Sequence, residues 1–227
     1  MALSVPSAAL DDPPAHRVEA AAFVMALRAR GIRDTGVLGA MERVPRELFA
    51  PRHFADLSRT DVSLPLPCGQ TMTAPGTVAA MLVALEAKRG QRVLEVGTGS
   101  GYVTALLARL GCRVHTIERF ATLVDSAGGR FAIAGVAESI VAAAGDGLAP
   151  DLPSGGFERI LLNGATGTVP AALTSLLAAG GRLVGALAGS GFPRLMRIER
   201  QTDGTLRENL GGPLRLAPLV AGIAASL

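Results

Sequence analysis

The sequence contains no tryptophan, one tyrosine and seven phenylalanines, so aromatic residues make up only 4% of its 227 residues. Hydrophobic residues nevertheless reach 49% and charged residues only 18%, a balance that excludes a globally disordered chain. The core must therefore be built from alanine, leucine, valine and isoleucine. The 28 glycines and 14 prolines are typical of many short elements joined by tight turns.

Cysteine, clustered positive charge and long apolar runs are also scarce. Cys68 and Cys112 cannot form a disulfide framework, and this favours a reducing compartment, so we expect a cytoplasmic protein. The net charge of +3 comes from scattered lysines and arginines, which predicts no nucleic-acid partner. No apolar run reaches about 18 residues and the N-terminus lacks a signal peptide's basic start, so no membrane association is expected. No metal site is expected either, because the histidines are dispersed at His16, His53 and His115.

Strand-like and helix-like segments alternate through most of the chain. Five short segments have the composition of buried strands, at residues 92–96, 113–117, 139–143, 159–162 and 182–186. Helical patterns separate them at residues 102–110, 121–134 and 170–178. This alternation predicts one doubly wound α/β domain with a mostly parallel sheet. We expect an antiparallel pair of strands at the sheet edge, formed by residues 195–200 and 215–220 on either side of a turn at residues 203–204.

The N-terminal part has a different texture. Helices are predicted at residues 17–30, 35–43 and 78–87, with Asp34 capping the second, and the proline-rich stretch between the last two is too broken for long elements. We therefore expect a flexible tail over residues 1–16 and a single monomeric domain over residues 17–227. Its expected parts are N-terminal helices with a substrate loop (17–75), a cofactor-binding core (76–190) and a C-terminal hairpin (191–227).

A glycine-rich turn is the most informative local motif. Residues 97–101 (G-T-G-S-G) follow a buried strand that contains Glu95, and a helix follows them. Gly97 and Gly99 allow a tight turn in which the backbone approaches a ligand, and Gly101 is expected to let the helix pack against the strand. The spacing differs from the dinucleotide fingerprint, the P-loop and the G-x-S-x-G nucleophile elbow. The turn predicts a nucleotide-type ligand.

Acidic residues follow the next two predicted strands. Glu118 lies about 20 residues after Gly97, where a carboxylate can accept hydrogen bonds from ribose hydroxyls. Asp146 stands between Gly145 and Gly147 and can accept from an exocyclic adenine amine. Because parallel strands end at one edge of the sheet, all three features predict one ligand site there.

These motifs resemble those of class I S-adenosylmethionine-dependent methyltransferases. Four further segments resemble the protein-L-isoaspartate O-methyltransferase family more specifically. They are residues 44–51 (V-P-R-E-L-F-A-P), 64–75 (L-P-L-P-C-G-Q-T-M-T-A-P), 180–184 (G-G-R-L-V) and 217–219 (A-P-L). The motifs keep that family's order across residues 17–222. The resemblance implies a Rossmann-like methyltransferase fold with seven strands and an N-terminal helical addition, with S-adenosyl-L-methionine as cofactor.

The resemblance also implies roles for individual residues. Thr73 is the expected catalytic side chain, and the expected substrate-binding residues are Asp61, Gln70 and Thr71. The expected cofactor-binding residues are Glu95, Gly97, Thr98, Gly99, Ser100, Gly101, Glu118, Arg119, Asp146 and Gly147.

The implied reaction is methyl transfer to the free α-carboxylate of an L-isoaspartyl residue in a damaged protein or peptide. A carboxylate is already ionised at neutral pH, so no general base is needed. The protein must then supply alignment, desolvation and exclusion of water. The Thr73 hydroxyl is expected to hold the carboxylate, and it can also cap the helix that starts near Pro75.

Three residues depart from the family's usual pattern. Thr73 stands where serine is usual, Gly76 where histidine or tyrosine is common, and Thr60 where an aromatic residue precedes Asp61. These departures leave two alternatives open. One is a related methyltransferase that acts on the carboxylate of a modified peptide or a biosynthetic intermediate, and the other is a non-catalytic S-adenosylmethionine-binding protein.

Overall fold

A computed structural model describes the backbone of residues 14–149 and 154–224. The expected tail over residues 1–16 lies outside the described residues up to residue 13, and the first helix already begins at Pro14. The helices are α1 (Pro14–Ala29), α2 (Thr35–Arg43), α3 (Pro75–Leu85), α4 (Tyr102–Arg109), α5 (Ala121–Ile133) and α6 (Ala171–Ser175). The strands are β1 (Leu64–Pro65), β2 (Thr71–Met72), β3 (Arg92–Val96), β4 (Arg113–Glu118), β5 (Ile140–Ala144), β6 (Phe157–Thr166), β7 (Leu177–Leu187), β8 (Arg194–Arg200) and β9 (Leu206–Pro213).

Seven strands form the central sheet in the order β5-β4-β3-β6-β7-β8-β9. The first five strands run parallel, and the last two pairings, β7–β8 and β8–β9, are antiparallel, which confirms the doubly wound, mostly parallel α/β prediction. Val96 pairs with Ile117 on one side and with Leu162 on the other, so β3 and β4 end at nearly the same level, and β6 continues past them to Thr166. The chain reverses its direction of strand addition between β3 and β6, and such a switch point leaves a crevice at the carboxyl edge.

The core lies on both faces of this sheet, because consecutive residues of β3 are buried from Val93 to Val96 and successive side chains of a strand point to opposite faces. Val93 and Leu161 face one apolar cluster, which the helices α1 to α5 cover. Their neighbours Leu94 and Ile160 face a second cluster, which contains Leu173 of α6. Aliphatic side chains dominate both clusters, as the low aromatic content predicts.

The N-terminal part folds into short elements packed against α3. Asp34 caps α2 as predicted, because its Oδ1 accepts from the Val37 N–H at 2.8 Å. The proline-rich stretch forms short 3-10 helices and the two-stranded β1–β2 ribbon. The helix α3 starts at Pro75, three residues earlier than the periodicity predicts, since proline fits the first helical position. No helix in the described part of the chain is long and apolar enough to cross a membrane.

The C-terminal hairpin differs from the prediction. The partner of β8 is β9, and residues 215–220 take no part in the hairpin. The reason is the tight turn at Gly204, where φ is +87° and the Gln201 N–H donates to the Thr205 carbonyl. This turn places Leu206 opposite Arg200, so the return strand β9 begins directly after the turn. The helix α6 is also shorter than predicted, because β7 begins at Leu177.

Candidate functional site

A cavity of about 190 Å³ opens at the carboxyl edge of the sheet, at the switch point between β3 and β6. The turn after β3, the ends of β4 and β5 and Asn163 of β6 form its floor, while four residues of the 69–73 loop and residues 217–220 form its walls. We call it the edge cleft. Its lining residues are Gly69, Gln70, Thr71, Thr73, Val96, Gly97, Gly99, Ile117, Glu118, Arg119, Asp146, Gly147, Leu148, Asn163 and residues 217–220.

The glycine-rich turn has backbone angles that favour glycine. The φ angles of Gly97, Gly99 and Gly101 are +95°, +54° and +87°. The Gly97 N–H donates to the Ile117 carbonyl at 2.8 Å, and the Gly99 N–H donates to Glu118 Oε2 at 2.9 Å. Gly101 lies outside the edge cleft: a Cβ there would come within 2.7 Å of Phe131 Cε1. Gly101 therefore lets the turn pack closely against α5.

Glu118 is buried at the end of β4 and presents its carboxylate to the edge cleft. Its Oε2 accepts from Gly99 and its Oε1 accepts from the Phe120 N–H at 3.1 Å. A carboxylate has about four acceptor sites, so two hydrogen bonds leave capacity for a ligand hydroxyl. The backbone bonds fix the carboxylate in place before any ligand arrives.

Asp146 and Gly147 follow β5, as the sequence predicts for that edge. Asp146 Oδ1 accepts from the Leu148 N–H at 2.9 Å, and its Oδ2 accepts from the Gly222 N–H at 2.7 Å. A Cβ on Gly147 would lie 2.5 Å from Val96 Cγ1, so only glycine lets this loop rest on the end of β3. Arg119, which also lines the edge cleft, donates from Nε to the Gly222 carbonyl at 3.1 Å.

Two parts of the edge cleft escape the sequence reasoning. Asn163, a half-buried residue within β6, donates from Nδ2 to the Gly97 carbonyl at 3.0 Å and so stabilises the glycine turn. Its only sequence signal is a polar residue that interrupts an apolar strand. Residues 217–222 cross the strand ends from β6 to β5, because Leu219 bonds to Ala165 and Gly222 bonds to Asp146. The A-P-L motif marks this segment, but no periodicity places it over the site.

The loop over residues 69–73 brings three expected residues into the edge cleft. Gln70, Thr71 and Thr73 line it opposite the glycine turn, and Gln70 Nε2 also donates to the Cys68 carbonyl at 3.0 Å. The N-cap of α3 is Ala74, so the expected capping role of Thr73 is not seen. Within the described residues Thr73 is hydrogen-bonded through its carbonyl, which accepts from Arg46, and its hydroxyl is left available.

Thr98 and Ser100 border a smaller cavity beside the edge cleft. The Thr98 hydroxyl lies 2.6 Å from that of Thr116, and Ser100 Oγ accepts from the Tyr102 N–H at 3.3 Å. Thr73 lines both cavities, so the smaller one opens beside the residue expected to act on the substrate. Neither Thr98 nor Ser100 lines the edge cleft itself.

Asp61 is expected to bind the substrate, but the structure gives it different contacts. It does not line the edge cleft. Its Oδ1 accepts from the Gly76 N–H at 2.6 Å, and its carboxylate forms an ion pair with Arg30, the residue that follows α1. Both contacts hold Asp61 against the start of α3, so it does not present its carboxylate to a ligand there.

Glu95 lies beneath the edge cleft and is entirely buried. It accepts from the Thr104 hydroxyl at 2.5 Å and from the Thr116 hydroxyl at 2.8 Å. Burial raises its pKa from 4.5 to about 7, and the two hydroxyl donors only partly offset this. Direct contact between Glu95 and a cofactor, which the sequence reasoning expected, is closed off by this burial.

The raised pKa of Glu95 predicts a pH dependence of stability. The folded chain holds this proton more tightly than the unfolded chain, so the free energy of unfolding falls as pH rises from about 4.5 to about 7. Glu95→Gln keeps an oxygen acceptor for the two threonines and removes the charge. We expect the variant to lose less stability than the wild type between pH 5 and pH 8. Urea unfolding at both pH values measures this, and identical pH dependence in the two proteins would contradict it.

Comparison with known proteins places these features in a family context. A model of the protein-L-isoaspartate(D-aspartate) O-methyltransferase family matches residues 18–224. A protein-L-isoaspartate O-methyltransferase from Azorhizobium caulinodans is 40% identical over 218 residues, covering 96% of this chain and 100% of that protein. One from Xanthobacter autotrophicus is 42% identical over 213 residues, covering 93% and 96%.

Solved structures agree on the fold. A Plasmodium falciparum structure described as a protein-L-isoaspartate O-methyltransferase in complex with S-adenosyl-L-homocysteine superposes with a TM-score of 0.74 at 20% identity. The match covers 90% of this chain and 98% of that one. A second structure with the same enzyme name has a TM-score of 0.76 and 21% identity, and the match covers 90% and 67%.

Proposed function

The chain belongs to the protein-L-isoaspartate(D-aspartate) O-methyltransferase family, and we propose that it methylates the free α-carboxylate of L-isoaspartyl residues in damaged proteins or peptides. Its methyl donor is S-adenosyl-L-methionine. The activity is that of a repair enzyme, since methylation activates a carboxylate that arose by damage. The observation that carries the proposal is that the glycine turn and the Thr73 loop line one cleft.

The edge cleft suits the cofactor chemically. Glu118 offers acceptor sites suited to ribose hydroxyls, and Asp146 offers an acceptor suited to the adenine amine. Gly147 lies where a Cβ would strike Val96, which brings backbone close to the cleft floor. We propose that the cofactor is held by Gly97, Gly99, Glu118, Arg119, Asp146 and Gly147, with Asn163 and residues 217–220 completing the wall. Thr98 and Ser100 would support the turn from the smaller cavity.

The mechanism needs few chemical groups from the protein. When bound, S-adenosyl-L-methionine supplies a methyl group activated by its sulfonium. The acceptor carboxylate is ionised at neutral pH, so no side chain has to remove a proton. The Thr73 hydroxyl would donate to one carboxylate oxygen and hold the other in line, while Gln70 and Thr71 line the same wall. Residues 217–222 would exclude water from above.

The departures from the family pattern do not all concern the acceptor. Gly76 lies against Asp61 and Thr60 lies on the exposed side of the loop, and neither lines the edge cleft. Of the three departures only Thr73 does, and threonine keeps the hydroxyl that serine would supply. This supports an isoaspartyl acceptor over the carboxylate of a modified peptide or a biosynthetic intermediate.

A panel of acceptors tests this choice. Labelled methyl transfer is measured with an isoaspartyl peptide, its glutamyl analogue and a set of free carboxylic acids. The proposal predicts label in the isoaspartyl peptide alone. Greater label in another carboxylic acid would favour the related methyltransferase, and cofactor binding without label in any acceptor would favour a non-catalytic role.

The proposed role of Glu118 makes a second quantitative prediction. Glu118→Ala removes a buried, charge-assisted acceptor and the anchor of the Gly99 N–H, so S-adenosyl-L-homocysteine should bind more weakly by about 1.5–3 kcal/mol. Titration calorimetry measures the affinity. Glu138→Ala, at an exposed position outside the edge cleft, is the matched control and should bind normally. Unchanged affinity in a folded Glu118→Ala protein would remove Glu118 from the site.

We also propose that the protein works as a monomer in the cytoplasm, with isoaspartyl proteins or peptides as its partners. Cys68 and Cys112 are both free thiols, which supports a reducing compartment. Size-exclusion chromatography with light scattering tests the monomer.

A further inference from the structure

The backbone at Thr73 and just after it is held by charged side chains that come from distant parts of the chain. Arg46 Nη2 donates to the Thr73 carbonyl at 3.2 Å. Three residues later, the Gly76 N–H donates to Asp61 Oδ1 at 2.6 Å. The bend that carries the Thr73 hydroxyl is therefore fixed at two points three residues apart.

Arg46 links this bend to the segment that contains Asp61. Its guanidinium is buried and also donates to the Ser58 carbonyl at 2.7 Å and to the Val62 carbonyl at 3.0 Å. Residues 58–62 are thus tied to the same guanidinium as Thr73. Arg46 therefore fixes the position of residues 58–62, which include Asp61, relative to the bend at Thr73.

Asp61 supplies the cap that α3 lacks locally. The N-cap residue Ala74 has no side-chain acceptor and Pro75 has no N–H, so Gly76 carries the first free N–H of the helix. Asp61 accepts from it across 15 residues of sequence. A Cβ at residue 76 would lie 2.8 Å from Asp61 Oδ2, so glycine permits this approach.

Arg30 completes the arrangement from the outside. It forms an ion pair with the Asp61 carboxylate, and its side chain is 62% exposed whereas that of Asp61 is 17% exposed. Exposed ion pairs are weak, so the Gly76 bond is the contact that fixes Asp61. The ion pair joins α1 to the same point.

We propose that Asp61 is a positioning residue: by holding the first turn of α3 to residues 58–62, it keeps the Thr73 hydroxyl facing the glycine turn. The inference rests on the proposed function, because it concerns the loop that receives the substrate carboxylate. It replaces the expected role of Asp61 as a substrate-binding residue. In-line transfer tolerates little error, since a misplacement of about 1 Å can cost about 100-fold in rate.

The first test compares two substitutions of Asp61. Asp61→Ala removes the acceptor, and we expect kcat for an isoaspartyl peptide to fall about 10- to 100-fold while affinity for S-adenosyl-L-homocysteine stays within about twofold. Asp61→Asn keeps an oxygen for the Gly76 N–H and should recover most of kcat. Asp56→Ala, at an exposed position on the same segment, is the control. Wild-type kcat in Asp61→Ala would overturn the proposal.

A second variant separates positioning from helix capping. Ala74→Ser in the Asp61→Ala background gives α3 a local cap, so it should restore thermal stability but leave kcat low. Recovery of both would show that Asp61 only caps the helix and would overturn the proposal. If Asp61→Ala does not fold, Gly76→Ala displaces the same carboxylate and should lower kcat in the same way, with normal kcat overturning the proposal. Failure of the wild type to methylate the peptide would instead refute the proposed function, and the binding measurement is independent of it.

Discussion

Gly99→Val is expected to abolish binding of S-adenosyl-L-homocysteine. Gly99 has a φ of +54° and lines the edge cleft, and its N–H donates to Glu118. A β-branched residue is strongly disfavoured at such a positive φ, so the turn would shift and release Glu118. The Glu118 carboxylate would then lose the position from which it is proposed to bind the ribose, and the valine side chain would occupy part of the edge cleft. A Cβ at this position would lie 3.7 Å from Leu66 Cδ1, an ordinary contact, so the positive φ carries the expected effect and not a clash within the chain.

Titration calorimetry on the folded variant measures this effect, with Gly204→Val as the matched control. Gly204 also has a positive φ, of +87°, but it lies in the β8–β9 turn and no heavy atom lies within 4 Å of the position of its Cβ. Its substitution strains the chain to a similar degree and leaves the edge cleft intact. Normal cofactor affinity in Gly99→Val would count against the location of the whole site.

Thr73→Val is expected to lower the specificity constant for an isoaspartyl peptide by about ten- to a hundred-fold. Valine keeps the shape of threonine but removes the hydroxyl, and a lost hydrogen bond to a charged group costs about 1.5–3 kcal/mol. Thr73→Ser keeps the donor and should retain much of the activity. Cofactor affinity should barely change in either variant, because the proposed cofactor contacts come from the glycine turn and the ends of β4 and β5 and not from Thr73.

The measurement is kcat/KM for the peptide, together with cofactor affinity, in wild type and both variants. The Thr73 carbonyl bond to Arg46 does not depend on the side chain, so the loop should keep its place in all three proteins. Equal activity in the valine variant would mean that Thr73 packs without binding. Carboxylate recognition would then be sought in the backbone N–H groups of the same loop.

Local patterns predicted most of the fold. The bounds of β3 and of α2 agree with the sequence prediction, because an apolar strand and a helix with an aspartate cap are recognisable within a few residues. The glycine turn, Glu118 and Asp146 meet at one edge for the same reason, since each ends a strand of a parallel sheet. These features need no knowledge of distant contacts.

Long-range contacts explain where the sequence reasoning failed. Glu95 shares its strand with site residues, but the hydroxyls of Thr104 and Thr116 bind it beneath the cleft. Asp61 precedes the acceptor loop, and its partners are Arg30 in the turn after α1 and Gly76 in α3. Residues 215–220 have the composition of a strand, but the tight turn at Gly204 makes β9 the partner of β8 instead. None of these pairings leaves a periodic pattern in the sequence.

Methyl transfer from labelled S-adenosyl-L-methionine to an isoaspartyl peptide and to its aspartyl twin tests the central claim most directly. The two peptides have the same composition and charge, and they differ only in which carboxylate of the residue is free. The account predicts that the isoaspartyl peptide is labelled while the aspartyl twin stays at background, and that Gly99→Val labels neither. Equal labelling of the two peptides, or no labelling of the isoaspartyl peptide by a protein that binds the cofactor, would contradict it.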